Sequence, residues 1–144
     1  MMRLNHIGFV TNNIEECLEV LRLLGLKEAT RPFVNPLQGV AASFVKIYGD
    51  EEVYLEVLEP AGEGSPVAGF LSKRGGGIHH ICFEVDDLDK TTAFLLENGF
   101  KMVVSPQDCE AYDINLDRRC KTKSRIAFFM LPDRFLVEFI EKGR

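Results

Sequence analysis

The chain has 144 residues, 46% of them hydrophobic and 27% charged, and a formal net charge of −5, the profile of one soluble globular domain with a single substantial core. The acidic balance offers no broad basic face to a nucleic acid, and no apolar run approaches the ~20 residues that span a bilayer. Cys17, Cys82, Cys109 and Cys120 show neither CxxC spacing nor the density of a secreted scaffold, so reduced thiols and a cytoplasmic setting are expected.

The first residues, Met1-Met2-Arg3, run directly into a strand pattern over 4–10, which argues against a signal peptide. Asn12 is expected to cap the next helix, with Glu15 completing a capping box. Ile14, Cys17, Leu18, Leu21 and Leu24 recur at helical spacing, and Gly25 supplies the stop. The pattern then predicts a strand over 27–31 and a loop over 32–39 around Pro32 and Pro36. Strands over 40–48 and 53–58 follow, joined as a hairpin through Gly49-Asp50-Glu51-Glu52. This first module, about 4–60, reads β-α-β-β-β. A connector over 61–77 carries a short helix opened by Ser65-Pro66 and running to about Lys73. The glycines at 75–77 lie between a helix and a strand, the reverse of the order in a phosphate-binding loop.

The second module, about 78–141, repeats the plan. A strand over 78–85 leads to Asp86 as the expected cap of a helix that ends before Gly99. A strand over 100–104, a polar loop over 105–124 and strands over 125–130 and 135–140 follow, the last two joined across Leu131-Pro132-Asp133-Arg134. Laying His80 on His6 gives an offset of 74, and that offset also puts Ile81 on Ile7, Phe83 on Phe9, Leu95 on Leu21, Gly99 on Gly25 and Lys101 on Lys27. A gap-free register of this length is an internal duplication. The closing strands align Glu138 with Glu56 at an offset of 82, which assigns an insertion of eight residues (82 − 74) to the 105–124 loop. The expected fold is α+β: two βαβββ modules in one domain over 1–144, forming one cupped, mixed eight-stranded sheet around a metal site, with helices on the convex side.

Alternation along the strands selects the site. His80, Cys82 and Glu84 share one face, and the apolar Ile81, Phe83 and Val85 share the face that must cover a helix. Leu55 and Val57, and their counterparts Val137 and Phe139, are apolar, so Glu56 and Glu138 point the other way. An isolated strand histidine or glutamate is more simply a hydrogen-bonded edge residue. Two copies of one module that each deliver one of each favour ligation: His6, Glu56, His80 and Glu138 form a mixed N/O set suited to one divalent ion (Zn, Ni, Co, Mn or Fe) with coordination positions left open. His79, whose counterpart is Asn5, reads as structural.

The doubled plan with His6-Ile7-Gly8-Phe9, His79-His80-Ile81-Cys82-Phe83-Glu84-Val85, YLEVLEP over 54–60 and FLVEFIE over 135–141 resembles the vicinal oxygen chelate (glyoxalase/bleomycin-resistance/dioxygenase) superfamily. Within it, SPVAGFL over 65–71 with GGGIHHICFEVDD over 75–87 is most similar to the methylmalonyl-CoA epimerase branch. The resemblance runs from Leu4 to Glu141 and implies the cupped sheet and the same four ligands. It also implies proton transfer α to a carbonyl, on a small-molecule carbonyl or acyl-CoA-like substrate, with Glu138 and Glu56 as the catalytic carboxylates. Epimerases of this kind carry a glutamate within a Pro-Glu-x-Gly-Val loop, where this chain reads Pro36-Leu37-Gln38-Gly39-Val40. Leu37 cannot carry a proton. The glycine-rich segment usual before the seventh strand is replaced by Arg119-Cys120-Lys121-Thr122-Lys123-Ser124. Two alternatives stand beside the epimerase: a glyoxalase I-like (lactoylglutathione lyase-type) isomerase, in which the ligand glutamates alone move the proton, and a metal-dependent small-molecule-binding protein. Val10 stands where glyoxalases of this plan often carry an arginine. Arg119 and Lys121, from the crowded cations at 118–125, and Gln38 are the expected substrate contacts, and a homodimer is expected from the edges such small modules leave open.

Overall fold

A computed structural model describes residues 2–144. The elements run β1 (Met2–Val10), α1 (Ile14–Leu23), β2 (Phe33–Asn35), β3 (Val40–Lys46), β4 (Tyr54–Pro60), α2 (Pro66–Arg74), β5 (Gly77–Val85), α3 (Leu88–Glu97), β6 (Lys101–Asp108), α4 (Glu110–Asn115), β7 (Arg125–Leu131) and β8 (Phe135–Glu141). The eight strands make a mixed sheet of the α+β class. The chain resolves into two compact units, one from His6 to His79 and the other from His80 to Arg144 together with the strand start that ends at Asn5.

In the unit from His6 to His79 the strand order is β2-β3-β4-β1, with β1 parallel to β4 and the other pairs antiparallel. Ile14 and Leu18 of α1 pack with Val45 and Val57, and with Leu55 beside them, so the apolar face of the alternation lies under α1 as expected. Asn13, not Asn12, is the cap: its side chain accepts from the Glu16 amide at 3.1 Å. The next amide, on Ile14, donates to the Glu59 carboxylate at 2.9 Å, pinning the positive end of the helix to β4. The expected strand over 27–31 is reduced to a single bridge between Ala29 and Val45, and the ladder partner of β3 is β2, inside the segment expected to be loop. Phe33-Val34-Asn35 has the better strand composition; Pro32 sets its start and Pro36 its end.

The second unit has the order β5-β8-β7-β6 and repeats these devices. Val85, Leu88, Ala127, Phe129, Val137 and Phe139 form its core beneath α3, with Phe83 and Leu95 packed alongside. Asp87, not Asp86, caps α3 by accepting from the Lys90 amide at 2.9 Å, and Leu88 donates to Glu141 at 2.7 Å. Both caps thus lie one residue beyond the expected positions, at equivalent places in the two copies. The loop expected over 105–124 is partly ordered: β6 continues to Asp108 and α4 follows. The registers also redistribute the insertion. Gly8 faces Glu56 and Cys82 faces Glu138 across the parallel pairs, keeping 74 and 82, but Phe44 faces Glu56 where Phe128 faces Glu138. Since 128 − 44 = 84, ten residues enter before β7 and two are lost from the β7–β8 turn. That turn is tight enough to hold Asp133 and Arg134 at φ 62° and 60°.

The connector helix adds a feature that alternation in the strands does not foretell. Val67 of α2 packs with Val10, Val40, Ala42 and Leu58, with Phe33, Phe70 and Leu71 alongside. Leu58 shares a face with Glu56, so α2 lies on the histidine-and-glutamate side of its unit, whereas α1 and α3 cover the opposite faces. Ser65 and Pro66 open α2 as expected, yet the Ser65 hydroxyl makes no capping bond and is buried without a hydrogen-bond partner.

Two outcomes follow for stability. Asn13→Ala and Asp87→Ala should each cost ~1 kcal/mol in urea denaturation, whereas Asn12→Ala should be nearly silent. The exposed Asp89 accepts from Arg125 at 3.0 and 3.1 Å, and this hydrogen bond, with the guanidinium charge, holds its carboxyl below the ordinary value. Because the folded pKa is the lower one, the contribution is present above the ordinary carboxylate pKa and is lost as pH falls through the folded value. The stability curves of wild type and Asp89→Asn should therefore differ slightly at neutral pH and converge in acid.

Candidate metal centre

In the unit from His6 to His79, the parallel register sets Gly8 opposite Glu56, so His6, two residues back along β1, shares the face of that carboxylate. His6 Nε2 lies 3.5 Å from Glu56 Oε1, with side chains 3% and 8% exposed. Phe44, the cross-strand partner of Glu56, meets the His6 ring edge-on at 5.9 Å. Phe44 is itself braced by Phe33 at 5.7 Å and Tyr54 at 5.8 Å.

The second unit builds the same trio. His80 Nε2 lies 3.3 Å from Glu138 Oε1, with side chains 2% and 4% exposed. Phe128, the cross-strand partner of Glu138, meets the His80 ring at 5.6 Å and an interplanar angle of 76°. Cys82 and Ile140, on the same face by alternation, are fully buried. The wall residues Phe44 and Phe128 went unnoticed in the sequence, because the shortened β7–β8 turn shifts them to an offset of 84 while the glutamates keep 82. Allowing the closing hairpin its own offset would have found them.

The donor sets fit a divalent ion. Two ligands each ~2.1 Å from one ion stand roughly 3.0–3.4 Å apart, close to the nitrogen–oxygen separation in both pairs. Imidazole nitrogen and carboxylate oxygen are the donors that borderline divalent ions take. A carboxylate buried this deeply also carries a large desolvation cost that a cation offsets.

The other expected contacts sit apart from these pairs in character. Leu37 is half-exposed, at 51%, on a turn fixed by Asn35, whose side chain accepts from the Leu37 amide at 3.2 Å and whose carbonyl accepts from the Gln38 amide at 3.2 Å. Gln38 is partly buried. Of the cations at 118–125, Arg118 is bound to Asp113 at 2.8 Å, Lys123 to Glu110 and Arg125 to Asp89. Burial works against the Arg118 charge, but the hydrogen bond to Asp113 and neighbouring Cys120 and Tyr112 raise its pKa above the usual value. Arg119 and Lys121 are exposed. None of the four cysteines is in a disulfide among the described residues.

Residues 5–115 match the profile of the Glyoxalase/Bleomycin resistance protein/Dioxygenase superfamily. An ethylmalonyl-CoA/methylmalonyl-CoA epimerase of Cereibacter sphaeroides is 38% identical over 104 residues, covering 72% of this chain and 75% of that one. A mitochondrial methylmalonyl-CoA epimerase of Dictyostelium discoideum is 34% identical over 102 residues, 70% of this chain; the match spans 60% of the Dictyostelium protein's length. A Streptomyces coelicolor methylmalonyl-CoA epimerase variant, solved in complex with 2-nitronate-propionyl-CoA, superposes with a TM-score of 0.79 at 29% identity over 99% of this chain and 98% of that one. The chain belongs to the glyoxalase/bleomycin resistance protein/dioxygenase superfamily and is similar within it to methylmalonyl-CoA epimerases.

Proposed function

We propose that the chain is a metal-dependent isomerase of the epimerase kind, moving a proton on the carbon beside the carbonyl of an acyl-CoA-like substrate. The observation that carries this reading is the duplicated buried pair, His6 with Glu56 and His80 with Glu138, each walled by a phenylalanine. All four residues would hold one divalent ion (Zn, Ni, Co, Mn or Fe). That ion would supply the Lewis acidity that makes a carbon acid beside a carbonyl accessible near neutral pH. The substrate class rests on the epimerase relatives and on the acyl-CoA analogue bound by the Streptomyces protein. The same reading takes residues 1–144 as one domain and, on the sequence grounds above, the chain as a cytoplasmic homodimer. Among the described residues no helix is long and apolar enough to cross a membrane.

Glu138 is assigned as the residue that takes and returns the substrate proton, with Glu56 as its duplicated partner. A positioned carboxylate contributes ~10²–10⁴ in rate. Its buried place beside His80 fixes its orientation and keeps bulk water from competing for the proton. Inversion at a carbon needs removal on one face and delivery on the other. Leu37 offers no proton at the loop position, and Gln38, which has no titratable group, can only orient a water. One-sided exchange should therefore outrun inversion. The absence of a loop carboxylate also favours the glyoxalase-like isomerase as a second reading, because that reaction uses the two buried glutamates alone.

Two measurements test this. Metal analysis should find one divalent ion per chain in wild type and a large loss in His80→Ala and Glu138→Ala; full stoichiometry in both variants would remove the metal site and leave two buried imidazole–carboxylate contacts. Proton NMR in deuterated water with methylmalonyl-CoA should show α-proton exchange from one epimer much faster than epimerisation, and Leu37→Glu should speed the inversion. Rapid wild-type epimerisation unchanged by Leu37→Glu would place the second base elsewhere, and no exchange in either variant would turn the assignment toward the glyoxalase-like or binding reading.

A further inference from the structure

The helix inserted in the second copy has no part in the reading above, and its contacts assign it one. We infer that Tyr112 of α4 is a positioning residue for His6, acting through Asn5. Asn5 is fully buried, at 0% exposure, and its Nδ2 donates to the Tyr112 hydroxyl at 2.9 Å. Asn5 immediately precedes His6 on β1, so fixing its side chain fixes the strand's rotation one residue before the imidazole. In a pleated strand that rotation sets where the next side chain points. An error of an ångström in a ligand's position is enough to weaken a metal site.

Tyr112 can serve as an anchor because it is itself immobilised from behind. Its ring carries the Arg118 guanidinium at 5.6 Å. Arg118 bonds Asp113 at 2.8 Å and the Gly143 carbonyl at 3.2 Å. Asp113 also accepts from the Ser124 amide at 2.8 Å and its hydroxyl at 2.6 Å. Gly143 is packed so closely that an added Cβ would lie 2.0 Å from the Thr122 carbonyl oxygen. The inserted helix, the basic loop and the chain's last residues thus form one braced block that reaches β1 through the Tyr112 hydroxyl.

The first module has no such helix between β2 and β3, and the equivalent residue before His80 is held differently. His79 meets Phe70 of α2 edge-on at 5.1 Å. Each candidate ligand histidine therefore follows a side chain seized by a helix, through a hydrogen bond in one copy and an aromatic contact in the other. This asymmetry supplies an internal control.

The test is Tyr112→Phe, which keeps the ring beneath Arg118 and removes the hydroxyl that accepts from Asn5. In metal-free protein, the ring-to-ring nuclear Overhauser contact between His6 and Phe44 should weaken or shift, while that between His80 and Phe128 stays as in wild type. In metal-loaded protein, which depends on the metal reading, affinity for Co(II) should fall about tenfold, the scale for losing an outer partner of a metal ligand, with a changed visible absorption spectrum. Asn5→Leu combined with Tyr112→Phe replaces the buried amide by an apolar side chain; it should recover thermal stability without restoring the His6 contact. A Tyr112→Phe protein that loses stability but keeps the His6–Phe44 contact and Co(II) affinity would reduce the bond to a tie between helix and strand and overturn the inference. If wild type binds no metal yet the His6 contact still shifts, the metal reading fails and the positioning role stands.

Discussion

The arrangement depends on one register, used twice: the first and last strands of each module run parallel with Gly8 opposite Glu56 and Cys82 opposite Glu138. A strand's side chains alternate faces, so this register alone puts the histidine and the glutamate on one side and leaves Leu55, Val57, Val137 and Phe139 on the other. A slip of one residue would turn both carboxylates under the helices and expose four core side chains. Burying such side chains is worth roughly 1.5–3 kcal/mol each. The apolar faces thus hold the polar geometry in place, and the histidine–glutamate pairs need no flexible element to bring them together.

The helices enforce this from their N-termini. In each copy a glutamate of the closing strand, Glu59 or Glu141, receives the first free amide of the helix that covers the sheet. The same strand therefore presents one carboxylate to the buried face and another to the helix end. This ties the packing of α1 and α3 to the strands that carry Glu56 and Glu138. Phe44 and Phe128 complete each trio from the neighbouring strand, and in both copies the imidazole is met by an aromatic side and a carboxylate oxygen.

Much of this was legible because the duplication is gap-free over the segments that matter. The pairing of His6 with Glu56 and of His80 with Glu138 follows from periodicity, as do the core faces and both hairpins. The misplaced elements have local causes. Asn12 and Asp86 are good caps by type, but the backbone turns one residue later, and the adjacent Asn13 and Asp87 are equally good. Residues 28–30 do pair with β3, Thr30 donating to Phe44 and Lys46 to Glu28, but the pairing is a single bridge, too short to make a strand. The helix at 110–115 is six residues long, too short for periodicity to declare itself, and it is held by tertiary bonds from Asn5, Ser124 and Arg118. Phe44 and Phe128 were hidden by an uneven hairpin, and the role of Tyr112 by a separation of 107 residues from its partner.

The boundaries of the two compact units have a consequence for how the protein can be divided. The sequence repeat breaks in the connector over 61–77, but the units change hands between Asn5 and His6 and again between His79 and His80, equivalent points since 5 + 74 = 79. Both boundaries fall just before a histidine, and the opening residues of the first strand are folded into the later unit. Scission in the connector would separate the ancestral repeats without separating the folding units: the fragment ending there would keep an N-terminal segment, from Met2 to Asn5, whose packing partners lie on the other piece. Two such fragments should be better behaved together than alone.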